Sequence, residues 1–416
     1  MNTLNRVVVI GGMRTPFVRA GTTFRDISQL KLSSHAVEGV LERFRIDPQQ
    51  LDLLVWGRVL HDPLISNLAR EIVFDLGLPP SIRAHLVSNN CITSIHAAVD
   101  VADAIAQGRA EAGIAGGVES MSTSPVLFGR EASAIFLEAG MARSLRERLK
   151  VMLRLRPRHF RPVPLAFAEP STGLTMGEHA ELTAKEWQIP RAEQDAIALR
   201  SHRRAAAAAA DGRLKGEIRP LRGVDRDTIV RADTTQEKLA TLKPVFDRTG
   251  SGTITAGNAS PLTDGAAAVL LMSEERARRQ GIEPLAVIKA VEFAAIHPRD
   301  GLLMAPAIAV PRLLRRTGLK LADMEIVEMH EAFAAQVAFN LRAWEKGWQE
   351  EAIGSVDPER LNPLGSSIAV GHPFAATGAR IITTLANEMQ RRQARYGLLS
   401  ICAAGGMAAA MILERP

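Results

Sequence analysis

Cysteine is nearly absent from this chain: two residues in 416, Cys91 and Cys402. Two thiols so far apart do not make a disulfide framework, and a reducing compartment fits them best. Neither thiol, nor any histidine near them, shows the close spacing of a metal site, so no metal is expected. Aromatic residues make up only 4% of the chain, and the core has to be built from Ala, Val, Ile and Leu. With no Lys-rich groove either, that scarcity argues against nucleic acid. No apolar run approaches the roughly 18 residues needed to span a bilayer. Met1 to Asn5 lacks a charged n-region followed by an apolar one, so no secretory leader is expected and the cytoplasm is the expected compartment.

What is present is ordinary in bulk. A hydrophobic content of 46% with 23% charge suits a soluble globular protein. The length allows two or three domains' worth of core. The net charge of +6 suits phosphate-bearing ligands, an acidic partner or a membrane surface, and selects none of them.

Strand-like runs alternate with helical ones through the first third. Arg6 to Ile10, ended by a Gly11-Gly12 turn, reads as a buried strand. Leu51 to Gly57, His85 to Asn89 and Ala112 to Val118 read as further strands, with helices over Ser34 to Phe44 and Ile92 to Ala106 between them. Such alternation predicts a largely parallel sheet covered on both faces. The last third repeats the theme, with strands at Leu285 to Ile288 and Met324 to Val327 and a helix after His372. There Tyr396 to Ile401 should pair with Ala408 to Leu413. Each half places a reactive residue, Cys91 or His372, just before a small-residue helix, which reads as two similar α/β halves.

Between them, from about Ser122 to Thr249, the strand rhythm fades. Glu193 to Asp211 is predicted helical. Arg143 to Arg161 is strongly basic, and Leu145, Leu149, Met152 and Leu153 share one helical face. A basic amphipathic segment of this kind reads either as a docking surface for an anionic membrane or a partner, or as a solvated face over the sheet.

Four short segments carry chemistry: Ser88 to Ser94 around Cys91, His330 to Ala334, Gly371 to Gly378 around His372, and Cys402 to Met407. A thiol at a strand-to-helix junction faces the positive end of the helix dipole, which favours the reactive thiolate. Read singly, each segment is weak. A lone buried cysteine is usually a small inert hydrophobe, and His330-Glu331 lacks the second histidine of a zinc-protease motif.

Together these segments resemble the thiolase family. Asn90-Cys91 is similar to its nucleophile, and Gly371-His372-Pro373 with Gly378 to its histidine motif. Cys402 with Gly405-Gly406 is similar to its second cysteine loop, and Thr255 to Ser260 followed by Thr263 to Ala268 to its central segment. The resemblance runs from Arg6 to Leu413. Most thiolases carry Asn-Glu-Ala-Phe where this chain has His330-Glu331-Ala332-Phe333. Histidine there is similar to the branch that forms the thiolase subunit of the fatty-acid oxidation trifunctional complex, and Gly173 to Gly177 agrees with it. Ala403-Ala404 departs from the glycine found in many thiolases, although the backbone N–H survives.

The resemblance implies an α/β fold of two duplicated halves forming a five-layered αβαβα core with an inserted loop domain. Its expected bounds are 1–121 with 250–278, then 279–416, around an insert at 122–249. It implies thiolysis of 3-ketoacyl-CoA in fatty-acid β-oxidation, with coenzyme A as substrate and no further cofactor. Cys91 would be the nucleophile, His372 its base, and Cys402 the second acid and base. His330 and His372 would hold one oxyanion, and the backbone N–H groups of Cys91 and Ala404 the other. Glu331 would orient the His330 loop. Met176 and Phe333 would line the acyl or pantetheine channel, with a plain core role open for both, and Ala256 and Ser260 would touch pantetheine. The arginines of Arg219 to Arg231 would meet the CoA phosphates. A homodimer or larger assembly, a hydratase/dehydrogenase partner subunit and membrane association through Arg143 to Arg161 are expected on the same ground. Two other readings stay open. One is a biosynthetic thiolase or condensing enzyme of the same fold, against whose synthase branch Cys402 speaks. The other is an inactive subunit that only binds acyl-CoA.

Overall fold

The computed structural model describes residues 5–163 and 168–416. Met1 to Leu4, on which the expectation of no leader partly rests, lie outside the described residues.

One mixed ten-stranded sheet is built of two arms, each a sheet layer of the fold. The first has strands Val7–Arg14, Thr263–Ser273, Ala112–Glu119, Leu53–Gly57 and Arg83–Val87, in that spatial order. The second runs Ala286–Ala295, Met407–Glu414, Tyr396–Ala403 and Ile326–Met329. A two-residue pairing, Val8 with Val287 and Val9 with Ala286, joins them. Side chains on alternate residues leave each sheet on opposite faces. Val7 and Val9 therefore enter the core between the sheets, while Val8 and Ile10 enter an outer one.

Helices Thr93–Ala106 and Thr377–Arg392 fill the space between the sheets, where their alanines and glycine allow close approach. Gln29–Phe44 and Leu68–Asp75 cover the outer face of the first sheet, and Pro306–Thr317 with Ala334–Lys346 that of the second. Five layers result, helix, sheet, helix, sheet, helix, as the sequence led one to expect.

Three local expectations are corrected. The sheets are mixed rather than largely parallel: parallel pairing is confined to Leu53–Gly57 with its two neighbours and to Ile326–Met329 with Tyr396–Ala403. The remaining ladders are antiparallel because the chain returns directly at the last hairpin, and because Thr263–Ser273 comes back after the long middle segment. That eleven-residue strand, buried throughout, went unrecognised because its alanines carry no β signal. Finally, Gly11-Gly12 is not a turn. The first strand runs on to Arg14 with a register shift between Val9 and Gly11. A Cβ on Gly12 would stand 2.1 Å from Thr383 Oγ1 of the central helix and 2.5 Å from the Ala268 carbonyl oxygen, so glycine here serves close packing.

The regular structure of the middle segment is mainly helical: Arg130–Met141, Leu145–Met152, Met176–Glu186 and Arg191–Ala210. Among the described residues no helix is long and apolar enough to cross a membrane.

Candidate active site

The strand Arg83–Val87 ends in a turn in which Asn90 adopts a left-handed conformation, φ 48°. That turn lifts Cys91 off the sheet just before the helix Thr93–Ala106 begins. Asn90 Nδ2 donates to the Ala404 carbonyl oxygen at 3.0 Å, tying the turn to the loop after Cys402. The halves are thus joined at the site itself.

His372 arrives from the other half, at the start of the helix Thr377–Arg392. Its backbone N–H donates to Thr263 Oγ1 at 3.0 Å, and its Nε2 stands 3.2 Å from Cys91 Sγ. His330 follows the strand Ile326–Met329, and its ring centroid lies 4.1 Å from that of His372. Sγ of Cys91 and one ring nitrogen of each histidine lie within 4.8 Å of one another. A soft divalent cation could span such a cluster, which is the one of its kind among the described residues.

All four motifs converge here. Cys402 is fully buried at the end of its strand, and its charge would interact with that of Cys91. The central segment runs along the His330 loop: Ser260 N–H donates to the Ala332 carbonyl at 2.9 Å, and Ala334 N–H to the Asn258 carbonyl at 2.8 Å. Glu331 is buried and accepts from Ser201 Oγ at 2.6 Å, Asn362 Nδ2 at 2.8 Å and the Ile368 N–H at 3.3 Å. These bonds anchor the His330 loop.

Electrostatics corrects one expectation. The helix dipole does not hold Cys91 as a thiolate. Burial pushes the thiol up to about 12, against which the N–H groups of Ala404 and of Cys91 itself, both aimed at the sulfur, pull it down only in part. A short turn separates Cys91 from the helix proper, and the dipole's effect falls off within the first turn. Burial likewise raises Cys402 well above its ordinary value. It lowers His372 to about 3, helped by the Arg380 charge, and His330 well below its usual range. The resting pair is therefore a neutral thiol against a neutral imidazole.

A cavity of about 320 Å³ opens beside Cys91, walled by Val59, Leu60, Met176, Phe374, Ala404 and Gly405. Ala256 and Ser260 do not line it. They line a neighbouring groove of about 410 Å³ with Arg19, Arg231 and Phe246. Phe246 rests directly on the Gly177 backbone next to Met176, so cavity and groove are neighbours. Phe333 lines neither. It is buried and meets Phe246 edge-on at 6.0 Å between ring centroids.

Of the basic stretch Arg219 to Arg231, Arg219 is spent on Glu38 and Glu42, and Arg222 on Asp26. Arg231 faces the groove. In the basic segment, Arg154 pairs with Glu138 and Arg158 with Glu131, while Leu145, Leu149 and Leu153 are 73%, 57% and 85% exposed.

Several residues at the site escaped the sequence reading. Glu119 is wholly buried and accepts from the N–H groups of Val59 and Leu60, which wall the cavity; burial pushes it up to about 8. Asn362 spans Met329 and Glu331, and Ser367 and Arg380 stand behind His330. The Asn-Pro and Gly punctuation of Asn362-Pro363-Leu364-Gly365, just before the histidine motif, was the available signal.

Comparison with known proteins agrees over the whole chain. Residues 7–275 match the model of the thiolase N-terminal domain and residues 282–415 that of the thiolase C-terminal domain. A 3-ketoacyl-CoA thiolase of Aeromonas salmonicida (strain A449) is 44% identical over 98% of this chain and 97% of its own. A crystal structure of the Bacillus anthracis acetyl-CoA acetyltransferase superposes with a TM-score of 0.88 at 30% identity, covering all of both chains. Human mitochondrial 3-ketoacyl-CoA thiolase in complex with CoA superposes at 0.86 and 29% identity, covering all of this chain and 99% of the other.

Proposed function

The chain belongs to the thiolase family, and from that premise we infer that it is a 3-ketoacyl-CoA thiolase, an acyltransferase of fatty-acid degradation. The observation that carries the mechanism is the 3.2 Å approach of His372 Nε2 to Cys91 Sγ beside a largely apolar cavity.

As the C3 carbonyl of 3-ketoacyl-CoA reaches Cys91, the thiol proton passes to His372 Nε2 and the sulfur forms the new bond to C3. The neutral resting pair means that charge appears only as the carbonyl oxygen takes it up. The N–H groups of Cys91 and Ala404 would then bind that oxyanion. Removing one such donor costs on the order of 3 kcal/mol in barrier. The C2–C3 bond breaks, leaving an acyl group on Cys91 and acetyl-CoA as its enolate. His330 and protonated His372 donate to the enolate oxygen, and Cys402 gives its proton to C2. Incoming CoA then loses its thiol proton to the Cys402 thiolate and attacks the acyl-Cys91 thioester. Collapse expels the Cys91 thiolate, which takes its proton back from His372, so every proton is returned.

CoA would lie with pantetheine along Ala256 and Ser260 and its phosphates toward Arg19 and Arg231. The support is that these four line one groove next to the Cys91 cavity, whereas Arg219 and Arg222 are already paired. Phe333 acts from behind, through Phe246. Residues 1–121 with 250–278, and 279–416, are taken as the two halves, with 122–249 as the lid between them. The half-exposed edge strand Arg83–Val87 suits a second copy, hence a homodimer. The exposed leucines of Arg143 to Arg161, set among arginines of which Arg154 and Arg158 are paired with Glu138 and Glu131, suit an anionic membrane surface, with a hydratase/dehydrogenase subunit as the other candidate.

The test is thiolysis. Purified protein with 3-ketopalmitoyl-CoA and CoA should consume the substrate's enolate absorbance and release acetyl-CoA. No consumption with any chain length would favour the reading as an inactive acyl-CoA-binding subunit. Neutralising the arginines of Arg143 to Arg161 should abolish co-sedimentation with anionic vesicles; unchanged sedimentation would remove the membrane assignment.

A further inference from the structure

We propose that Ser367 and Arg380 are positioning residues that hold His330 as its Nε2–H tautomer, opposite to the tautomer of His372, so that one imidazole at the site can only give a hydrogen bond while the other is free to take a proton. The inference rests on the thiolase reading for its catalytic meaning, and on hydrogen-bond bookkeeping for its content.

For His372 the bookkeeping starts at Thr377. Thr377 Oγ1 donates to the Pro373 carbonyl oxygen at 3.0 Å, which spends its only proton. What it offers His372 Nδ1, 2.6 Å away, is a lone pair. Nδ1 therefore carries the ring proton, and Nε2 presents a lone pair to Cys91 Sγ.

Ser367 reverses the assignment for His330. Arg380 Nη2 donates to Ser367 Oγ at 3.0 Å, and a guanidinium can only donate. Ser367 Oγ thus accepts from Arg380 and keeps its own proton to give. His330 Nδ1 lies 2.7 Å from that oxygen and is the one acceptor it meets among the described residues. Were Nδ1 protonated instead, both the buried hydroxyl proton and the Nε2 lone pair would lack a partner, two orphaned groups where the other tautomer leaves one. So Nδ1 accepts, the ring proton sits on Nε2, and that N–H is buried without a partner among the described residues. An unpaired buried donor beside Cys91 and His372 suits a developing oxyanion. Rotated to the other tautomer, the ring would turn a lone pair toward the same negative charge and oppose the reaction.

Arg380 has a second effect. Burial is the main cause that keeps both imidazoles neutral, and the Arg380 charge adds to that effect, which preserves His372 as a base and His330 as an uncharged donor. The pair of opposite tautomers is set by the hydroxyls that open two consecutive helices, Ser367 of Ser367–Val370 and Thr377 of Thr377–Arg392, each aimed by its own partner.

The test reads the protons directly. In full-length protein labelled with nitrogen-15 at histidine, long-range proton–nitrogen correlation at neutral pH should show an unprotonated Nδ1 for His330 and an unprotonated Nε2 for His372. His330→Asn and His372→Asn assign the signals. The same tautomer at both positions, or a proton on His330 Nδ1, overturns the proposal. For Ser367→Ala we expect kcat to fall by about 10- to 100-fold with KM moved less than about twofold, bounded above by loss of an oxyanion donor. Ser367→Thr, which keeps the hydroxyl, should recover most of it, and the His330 signal of Ser367→Ala should become a tautomer mixture. A merely structural Ser367 would lower the unfolding midpoint while leaving kcat and the His330 signal in place. Because the tautomer signals need no substrate, they stay readable even in a protein that shows no thiolysis, so the two readings fail separately.

Discussion

Gly378 is where the two reactive helices touch, and Gly378→Ala isolates what their spacing is worth. A Cβ at this position would lie 2.8 Å from Ile95 Cγ1, 2.8 Å from Ser94 Oγ and 2.9 Å from the Ile95 backbone nitrogen. Ser94 Oγ is already held by the Ala379 N–H at 2.9 Å, and a backbone nitrogen cannot rotate aside. The helices must part by roughly 0.5 Å or more to restore ordinary contact. Overpacking of this kind costs about 1–3 kcal/mol, against which alanine returns up to about 1 kcal/mol in helix propensity. Net stability should therefore fall only modestly. Activity should fall far more, because Cys91 precedes one helix and His372 the other. Widening their 3.2 Å approach by a fraction of an ångström should lower kcat for thiolysis, with a 1 Å misplacement costing on the order of 100-fold. Gly140→Ala is the control: its Cβ meets nothing within 4 Å, so it should stabilise slightly and leave kcat alone. Thiolysis kinetics beside denaturant melts separate the two effects. A Gly378→Ala enzyme with wild-type kcat would refute the argument that helix contact sets the site's geometry.

Cys402→Ala should still acylate Cys91 but stall, leaving acyl-enzyme visible by intact mass; no adduct would count against the order of proton transfers. Glu328 is wholly buried, its carboxylate oxygens accept no hydrogen bond among the described residues, and burial raises it to about 8. A raised folded value means that its stabilising protonated form is complete below the unfolded value of about 4.3 and is lost as pH rises toward 8. Glu328→Gln should therefore raise the unfolding midpoint at pH 8 and change it little at pH 5; equal effects at both would show that Glu328 does not titrate. Arg14 is buried between Glu217, at 2.9 Å, and Asp227, at 2.6 Å. Arg14→Met should cost about 3–5 kcal/mol in a denaturant melt, since two buried carboxylates lose their cation.

Much of the site was legible as residues. Cys91, His330, His372 and Cys402 stood out because glycine, proline and small-residue helices punctuate the chain around them. The supporting residues were not legible. Ser367, Arg380 and Glu119 look like ordinary polar positions, and only burial gives them consequence. The protonation of Cys91 was misjudged because a helix terminus is visible in sequence, whereas the closing of a cavity over the sulfur is not. The strand Thr263–Ser273 was missed for a related reason: alanine has no β preference, and tertiary pairing on both edges made it a strand.

Local patterning alone settled that this chain alternates strands with helices in two similar halves and places a thiol and an imidazole before small-residue helices, because periodicity and turn chemistry act over a few residues. Folding decided the rest. It brought residues 281 positions apart into hydrogen-bond contact, set hydroxyls against the ring nitrogens of His330 and His372, and raised the thiols of Cys91 and Cys402 while lowering both imidazoles by taking them out of water. Those outcomes depend on which surfaces meet and how much water they exclude, and neither is a property of any short stretch of sequence.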